Sequence, residues 1–460
     1  MKKSTMRDMT SGSPLKLMVA FWLPLACGTL FQQFYNMVDT VIVGKFLGVN
    51  ALAGVGSTGS INFMILGFCL GLCSGFAIPV AQKFGQKDYS GLRRYVANTA
   101  FLTVVFSAVL ALATCLLCPH ILNWMNTQPE FYNEAYNYIF VIFLGIPASM
   151  LYNVTAGIVR SLGDSRTPLY FLIVSSFLNI GLDLLFIAVF GWGVAGAAWA
   201  TVISQAAAGV LCLIFMMWKF DILRMQKDEM RLSGSHIRHL CGVSLPMGLQ
   251  YSITAIGSVV IQTIVNGMGT TFVAATTTGG KVNQLLFAPM EAIGPTSATF
   301  AGQNIGAGRT DRVRKGMCAS NLMGVVLALI GMAVVFLFGR GIAGMFIDQK
   351  DAAVAAEVLA HAQRFLVGNS LFYIALNVIF AMRFTIQGLG FSRVAMIAGA
   401  FEMVARVGVG VLATPYWGFD AICVANPAAW VAADIFLVPC YYYVIRKLER
   451  RAKAGTLMQI

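Results

Sequence analysis

Twelve stretches of this chain are apolar over the length a helix needs to cross a bilayer, about 20 residues. They fall at 15–43, 51–80, 95–118, 135–157, 168–190 and 193–217, then at 241–266, 273–300, 317–338, 360–382, 394–413 and 418–445. Hydrocarbon offers no partner to backbone N–H and C=O groups, so such stretches fold as helices that satisfy those groups internally. The chain is therefore expected to be an all-α integral membrane protein with twelve transmembrane helices. Composition agrees, with 58% of the 460 residues hydrophobic and 11% charged, against roughly 45–50% and 25% in soluble domains. Ten cysteines in so apolar a chain read as small core residues, not as a disulfide scaffold. A net charge of +13 would suit a nucleic-acid binder, but the basic residues gather in short loops between apolar runs. No nucleic-acid partner is expected; the partner implied is the lipid bilayer.

The polar stretch Lys219–His239 divides the runs six and six. Three regions follow: a first lobe over 1–217, a linker over 218–240 and a second lobe over 241–460. Basic residues crowd alternate connections, among them Lys2, Lys3, Lys83, Arg93, Arg160, Arg224, Arg309, Arg383 and Arg450. The opposite side holds only Lys45, Lys281, Arg340 and Lys350. The excess of Lys and Arg on cytoplasmic loops places both termini and the linker in the cytoplasm, with the chain in the inner (plasma) membrane. The basic N-terminus is followed by no small-residue cleavage site and reads as a retained tail.

The halves repeat one another. Ala81–Arg94 (AQKFGQKDYSGLRR) aligns with Gly302–Lys315 (GQNIGAGRTDRVRK), and LGDSR at 162–166 with LGFSR at 389–393. Trp192-Gly193 pairs with Trp417-Gly418, and Leu23-Pro24 with Leu245-Pro246. An even number of spans per half gives both halves the same orientation, related by an axis along the membrane normal with a cavity between them.

Within the first run, Gln32, Asn36 and Asp39 are spaced four and three apart and so share one helix face. A carboxylate at membrane depth costs roughly 2.5–3.5 kcal/mol, so such a residue faces a bundle interior or a wet cavity; the plainer reading puts Asp39 at a helix end among headgroups. Asn179 and Asp183 share a face of the fifth run, while Tyr138 and Thr201 add oxygens in the fourth and sixth. Two carboxylates among neutral oxygens suit Na⁺, or a shared proton, because like charges at close quarters favour protonation of one. No cation in the first half's spans partners Asp183. In the second half Thr254 stands opposite Gln32, Ile261 opposite Asp39, and Arg406 and Gly410 opposite Asn179 and Asp183. Glu402 and Arg406, four apart, are expected to form a structural ion pair. Pro24 removes a backbone hydrogen bond inside the first run and is a candidate hinge. Gly67, Gly71 and Gly75 recur every fourth residue, which allows close helix packing. Candidate substrate-cavity residues are Gln32, Asn36, Asn153, Gln250, Thr254 and Gln284.

Other patterns lack their context. Gly54–Gly59 spells the dinucleotide fingerprint without a preceding strand, Cys115 and Cys118 sit in an apolar helix end, and Asn153-Val154-Thr155 is a glycosylation sequon inside a span. His236, His239 and Cys241 are a weak metal motif. No phosphate-binding loop and no nucleophile–base pattern is present, so neither ATP use nor enzymatic activity is expected.

Several motifs taken together carry a family resemblance. They are Val38-Asp39-Thr40, Val43–Gly48 (VGKFLG), Ala51–Gly56 (ALAGVG), Arg160–Pro168 (RSLGDSRTP) and Gly302–Gly308 (GQNIGAG). With these the chain resembles the multidrug and toxic compound extrusion (MATE) family along essentially its whole length. The resemblance implies twelve helices in two pseudo-symmetric six-helix lobes, exporting organic compounds in exchange for H⁺ or Na⁺. Within the family the chain is most similar to the DinF-like (DNA-damage-inducible) branch. That likeness implies a first-lobe cation site at Asp39, Asn179, Asp183 and Thr201, with Tyr138 nearby and Pro24 as the bending proline. Thr254 stands where the sodium-driven branch carries an acid, so the resemblance does not extend to a second-lobe cation site. The expected function is a secondary antiporter working by alternating access on an amphipathic or cationic small molecule. It would act as a monomer, with no cofactor beyond the coupling ion and no metal unless Na⁺. The alternative is a flippase for lipid-linked precursors of the same superfamily, which would need a more basic interior than Arg364 and Arg406 supply.

Overall fold

The structure is a computed structural model that describes residues 6–125, 127–347 and 352–454. Lys2, Lys3 and Lys350 lie outside the described residues. Helices fill every apolar run, and the described residues contain no strand. In chain order the first half holds α1 (Pro14–Leu47), α2 (Val49–Ser57), α3 (Gly59–Gln86), α4 (Tyr89–Trp124), α5 (Tyr132–Leu144), α6 (Ile146–Ser161), α7 (Arg166–Asp183) and α8 (Gly193–Lys219). The second holds α9 (Gly234–Met268), α10 (Thr270–Glu291), α11 (Ile293–Gly306), α12 (Thr310–Gly344), α13 (Ala352–Ser370), α14 (Tyr373–Gly388), α15 (Ser392–Trp417) and α16 (Phe419–Lys453).

Among the described residues, nine helices are each long and apolar enough to cross a membrane, and two bent pairs bring the number to 11. The eighth run is divided between α10 and α11. Its first turns are threonine-rich (TTFVAATTTGG), which leaves it less apolar than the others. The fourth and tenth runs are the bent pairs: α5 and α6 meet at 46°, α13 and α14 at 49°. At the first bend Pro147 follows Gly145 by two residues and offers no N–H to the preceding turn, the ordinary cause of a sharp kink.

The chain packs as two compact units, Met1–Met9 with Cys27–Gly248, and Thr10–Ala26 with Leu249–Ile460. Helices α1 and α9 therefore each contribute to both. The change of unit comes two residues after Pro24 in α1 and two residues after Pro246 in α9.

Inside each unit the same pairings recur. In the first, α6 packs on α3, α4 and α8, and α7 packs on α8; in the second, α14 packs on α11, α12 and α16, and α15 packs on α16. Left-handed backbone recurs at matching places too: Gly48 and Gly269, Lys87 and Gly308, Gly163 and Gly390, Gly193 and Gly418. Glycine adopts positive φ without the Cβ clash, so these positions terminate helices at the same points of both repeats. Lys87 is the non-glycine exception among the described residues, at φ 59°. Its helix end is secured by Lys83, whose Nζ lies 2.8 Å from Asp88 Oδ2, while Asp88 Oδ1 caps α4 by accepting from Gly91 N at 2.9 Å.

The core of the first unit runs through Leu72 and Phe76 of α3, Leu92 of α4, Phe143 of α5, Met150 of α6 and Cys212 of α8, all buried. Gly71 and Gly75 let α3 lie against α9 so closely that a Cβ on Gly71 would sit 2.7 Å from Gly248 Cα. The linker is docked rather than free. Arg93 of α4 donates to both carboxylate oxygens of Glu229, at 2.6 and 2.7 Å. Ser233 N donates to Asn98 Oδ1 at 3.0 Å, and Tyr95 Oη lies 2.7 Å from His239 Nδ1. His236 and His239 thus meet the Tyr95 ring edge to face, and no metal-binding cluster of His, Cys, Asp and Glu exists among the described residues.

Candidate functional site

Helix α1 brings Gln32, Tyr35, Asn36 and Asp39 to successive turns, and α7 ends on Asp183 one turn beyond Asn179. From Leu184 to Val189 the helix widens into a π-helical turn, with Phe190 N donating to Leu185 O at 2.9 Å. Such turns are rare and concentrate at functional sites. The widening begins directly after Asp183.

The Asp39 and Asp183 carboxyl groups lie within hydrogen-bonding reach of each other. Both are acceptors when ionised, and Asp39 Oδ1 with both Asp183 oxygens is enclosed without a donor. Asp183 is fully buried and Asn179 is 2% exposed. Asn179 Nδ2 points to Thr201 Oγ1 at 3.4 Å, a long contact that leaves Asn179 Oδ1 enclosed and unused. Tyr138 is buried beside both carboxyls. The structure thus brings Asp39, Tyr138, Asn179, Asp183 and Thr201 into one neighbourhood of the first unit. It adds Tyr35, which lies beside Gln32 and within electrostatic range of the same acids. Tyr35 precedes Asp39 by four residues, a one-face spacing that the sequence already displays.

Two facing carboxyls with no donor between them hold one negative charge too many for an apolar bundle. A single proton would supply the missing hydrogen bond. A small hard cation would find the acid oxygens, the Asn179 carbonyl and the Thr201 hydroxyl instead. The residue set fits either ion.

The six cavity candidates divide between the units. In the first, Gln32 and Asn36 are exposed, and half-buried Asn153 donates to Ser149 O at 2.9 Å. In the second, Gln250 is buried and accepts from Gln387 Nε2 at 2.7 Å, while half-buried Thr254 donates to Gln250 O at 3.0 Å. Gln284 is exposed; its buried neighbour Asn283 is taken by the Tyr373 hydroxyl at 2.7 Å.

Glu402 and Arg406 meet at 2.8 Å, but they are two members of a larger group. Arg383 Nη2 donates to the other Glu402 oxygen at 2.7 Å, and all three side chains are almost fully buried. Arg406 Nη1 also reaches Thr254 O and Ser258 Oγ, each at 3.3 Å. Two expectations about basic residues change here. Arg383 is not a loop cation, because α14 carries it inside the bundle as far as Glu402. Arg364 is not buried: it pairs with Asp420 at 2.6 Å on the exposed start of α16.

The comparisons with known proteins agree with this architecture. The MatE family model matches residues 24–185 and 246–412, one stretch in each half. A probable multidrug resistance protein, YpnP of Bacillus subtilis (strain 168), is 29% identical over 388 residues, covering 83% of this chain and 84% of its own. The probable multidrug resistance protein NorM of Thermotoga maritima is 24% identical over 452 residues, covering 95% of this chain and 94% of its own. A crystal structure of MATE in complex with MaL6 matches with a TM-score of 0.90 at 21% identity, over 98% of this chain and 100% of that one. With a family match in each repeat and the twelve-helix fold of MATE transporters throughout, this multi-pass membrane chain belongs to the MatE family.

Proposed function

We propose that this protein is a secondary antiporter that exports amphipathic or cationic organic compounds in exchange for H⁺ or Na⁺ by alternating access. The observation that carries the reading is the facing pair Asp39 and Asp183, in which Asp39 Oδ1 and both Asp183 oxygens are enclosed without a donor. Each carboxylate at membrane depth costs roughly 2.5–3.5 kcal/mol, an expense that a structural role would avoid by pairing with a cation. Entry of H⁺ or Na⁺ cancels one charge, bridges α1 to α7 and alters the packing of the first lobe, with Pro24 the place where α1 bends. Loss of the ion on the other side restores the repulsion. Relatives named as multidrug resistance proteins support small organic molecules as cargo.

In this reading both termini and the linker lie in the cytoplasm and the chain sits in the inner membrane as a monomer. It needs no cofactor beyond the coupling ion. One charge moving down 100 mV makes about 2.3 kcal/mol available, close to a fifty-fold concentration ratio. That is sufficient for export without ATP.

Proteoliposomes loaded with ethidium, given a pH gradient and a Na⁺ gradient in separate runs, test the reading. Export driven by one of the two is expected. Folded protein that moves ethidium under neither gradient contradicts it and turns attention to lipid-linked substrates.

A further inference from the structure

Helix α16 carries one acid deep in its apolar run, Asp434 in VAADIFLV, fifteen residues after the helix begins at Phe419. At about 1.5 Å per residue this is some 22 Å along the helix, membrane depth by any orientation of the span. Asp434 lies within electrostatic range of Arg383 and Glu402, on a helix that packs against both α14 and α15. The three residues and Arg406 form a four-membered group in the second unit, contributed by α14, α15 and α16.

The hydrogen bonds of this group are unevenly shared. Glu402 uses both oxygens, one for each arginine. Asp434 Oδ1 is enclosed and accepts nothing, while Arg383 Nε and Arg406 Nε are enclosed and donate nothing. A purely structural cluster would close those bonds, because an enclosed acceptor or charge left unpaired costs several kcal/mol. With Asp434 ionised the four charges sum to zero, and Arg383 has a spare donor to offer it. With Asp434 protonated the group carries one positive charge, and Glu402 keeps both arginines. The group therefore has two hydrogen-bonding arrangements that differ by one proton.

We propose that Asp434 is a second proton-carrying site, in the half opposite to Asp39 and Asp183, which changes partners with Arg383 as it gains and loses that proton. The groups around it are Arg383 of α14 and Glu402 and Arg406 of α15. Tyr251 of α9 is within electrostatic range of Arg383 and of Glu291 of α10. Na⁺ does not fit this place: it needs several oxygens, whereas guanidinium groups present donors only and repel a metal ion. The inference rests on the antiporter reading, and it adds to that reading a coupling ratio greater than the first-half acids alone provide.

The test is the number of protons exchanged per ethidium, found from the opposing ethidium gradient that just halts pH-driven flux in proteoliposomes. Asp434→Asn is expected to keep transporting with one proton fewer per ethidium, and Asp434→Glu to match the wild type. A ratio unchanged in a folded Asp434→Asn overturns the proposal. A second measurement leaves Asp434 untouched: purified Asp39→Asn/Asp183→Asn double variant is titrated with ethidium in weakly buffered solution. Release of about one proton per ethidium bound supports the second site, and ethidium binding without proton release overturns it. Failure of the antiporter reading itself is separate, because the wild type would then show no flux under either gradient, whereas flux driven by Na⁺ alone overturns the second proton site and leaves the antiporter standing.

Discussion

At the scale of single residues, the account turns on which buried charges have partners. Glu402 holds two buried guanidinium groups, so Glu402→Ala should destabilise the protein by about 3–5 kcal/mol, because both arginines lose their counter-charge. Arg364→Ala, at an exposed pair, should cost less than about 1 kcal/mol. Thermal melting of the two variants in detergent would distinguish them, and equal losses would contradict the burial described here. The spacing of Gln32, Asn36 and Asp39 and of Asn179 and Asp183 made the first-half acids legible in the sequence, since helical periodicity is a local property. Arg383 and Asp434 were not. Arg383 stands near the end of an apolar run and reads as a loop cation until the packing of α14 on α16 and α15 is known. Asp434 bore the same signal as Asp39, a solitary acid in a long apolar stretch, but no polar neighbour marks its face.

At the scale of elements, close approach and docking decide stability. A methyl group on Gly75 would collide with the α9 backbone at Ser244. Gly75→Ala should therefore destabilise by about 1–3 kcal/mol, the usual cost of overpacking, measurable as a lowered melting temperature; an unchanged one would contradict the contact. The periodic glycines announced a tight interface in the sequence, but only the fold names α9 as the partner of α3. The linker shows the opposite case. Its polarity set it apart from the spans and named no partner, yet Glu229 is 3% exposed and fixed to α4. Arg93 and the Gln226 amide hold the Glu229 carboxyl down at about 2, from an ordinary 4.5. A carboxyl with a lowered folded-state pKa stabilises above the unfolded value and loses that contribution as pH falls through the folded one. The linker's hold on α4 should thus be intact above about pH 4.5 and lost progressively towards pH 2. Protection of the linker amides, relative to their intrinsic exchange at each pH, should fall over that window in the wild type, whereas in Glu229→Gln it should be low already at neutral pH. A linker equally protected in both would contradict the assignment.

At the scale of the whole molecule, two repeats share helix pairings, bends of 46° and 49°, and left-handed helix ends, yet differ in chemistry. The first half places facing acids between α1 and α7. The second replaces Asn179 by Arg406 and surrounds Glu402 with guanidinium groups. The repeat was visible in short matching motifs because turns need particular residues; the paired bends were not, because Pro147 marks only the first and no proline stands at the break between α13 and α14. Symmetric scaffolds with asymmetric charge suit a transporter in which one lobe responds to the coupling ion. The central claim is that Asp39 and Asp183 are where that ion binds. Gradient-driven ethidium efflux from proteoliposomes containing wild type or Asp39→Asn, compared at equal protein content, tests it most directly. The account predicts that Asp39→Asn binds ethidium but loses gradient-driven efflux by about tenfold or more, the equivalent of at least about 1.4 kcal/mol of coupling. Full gradient-driven efflux by Asp39→Asn would contradict it.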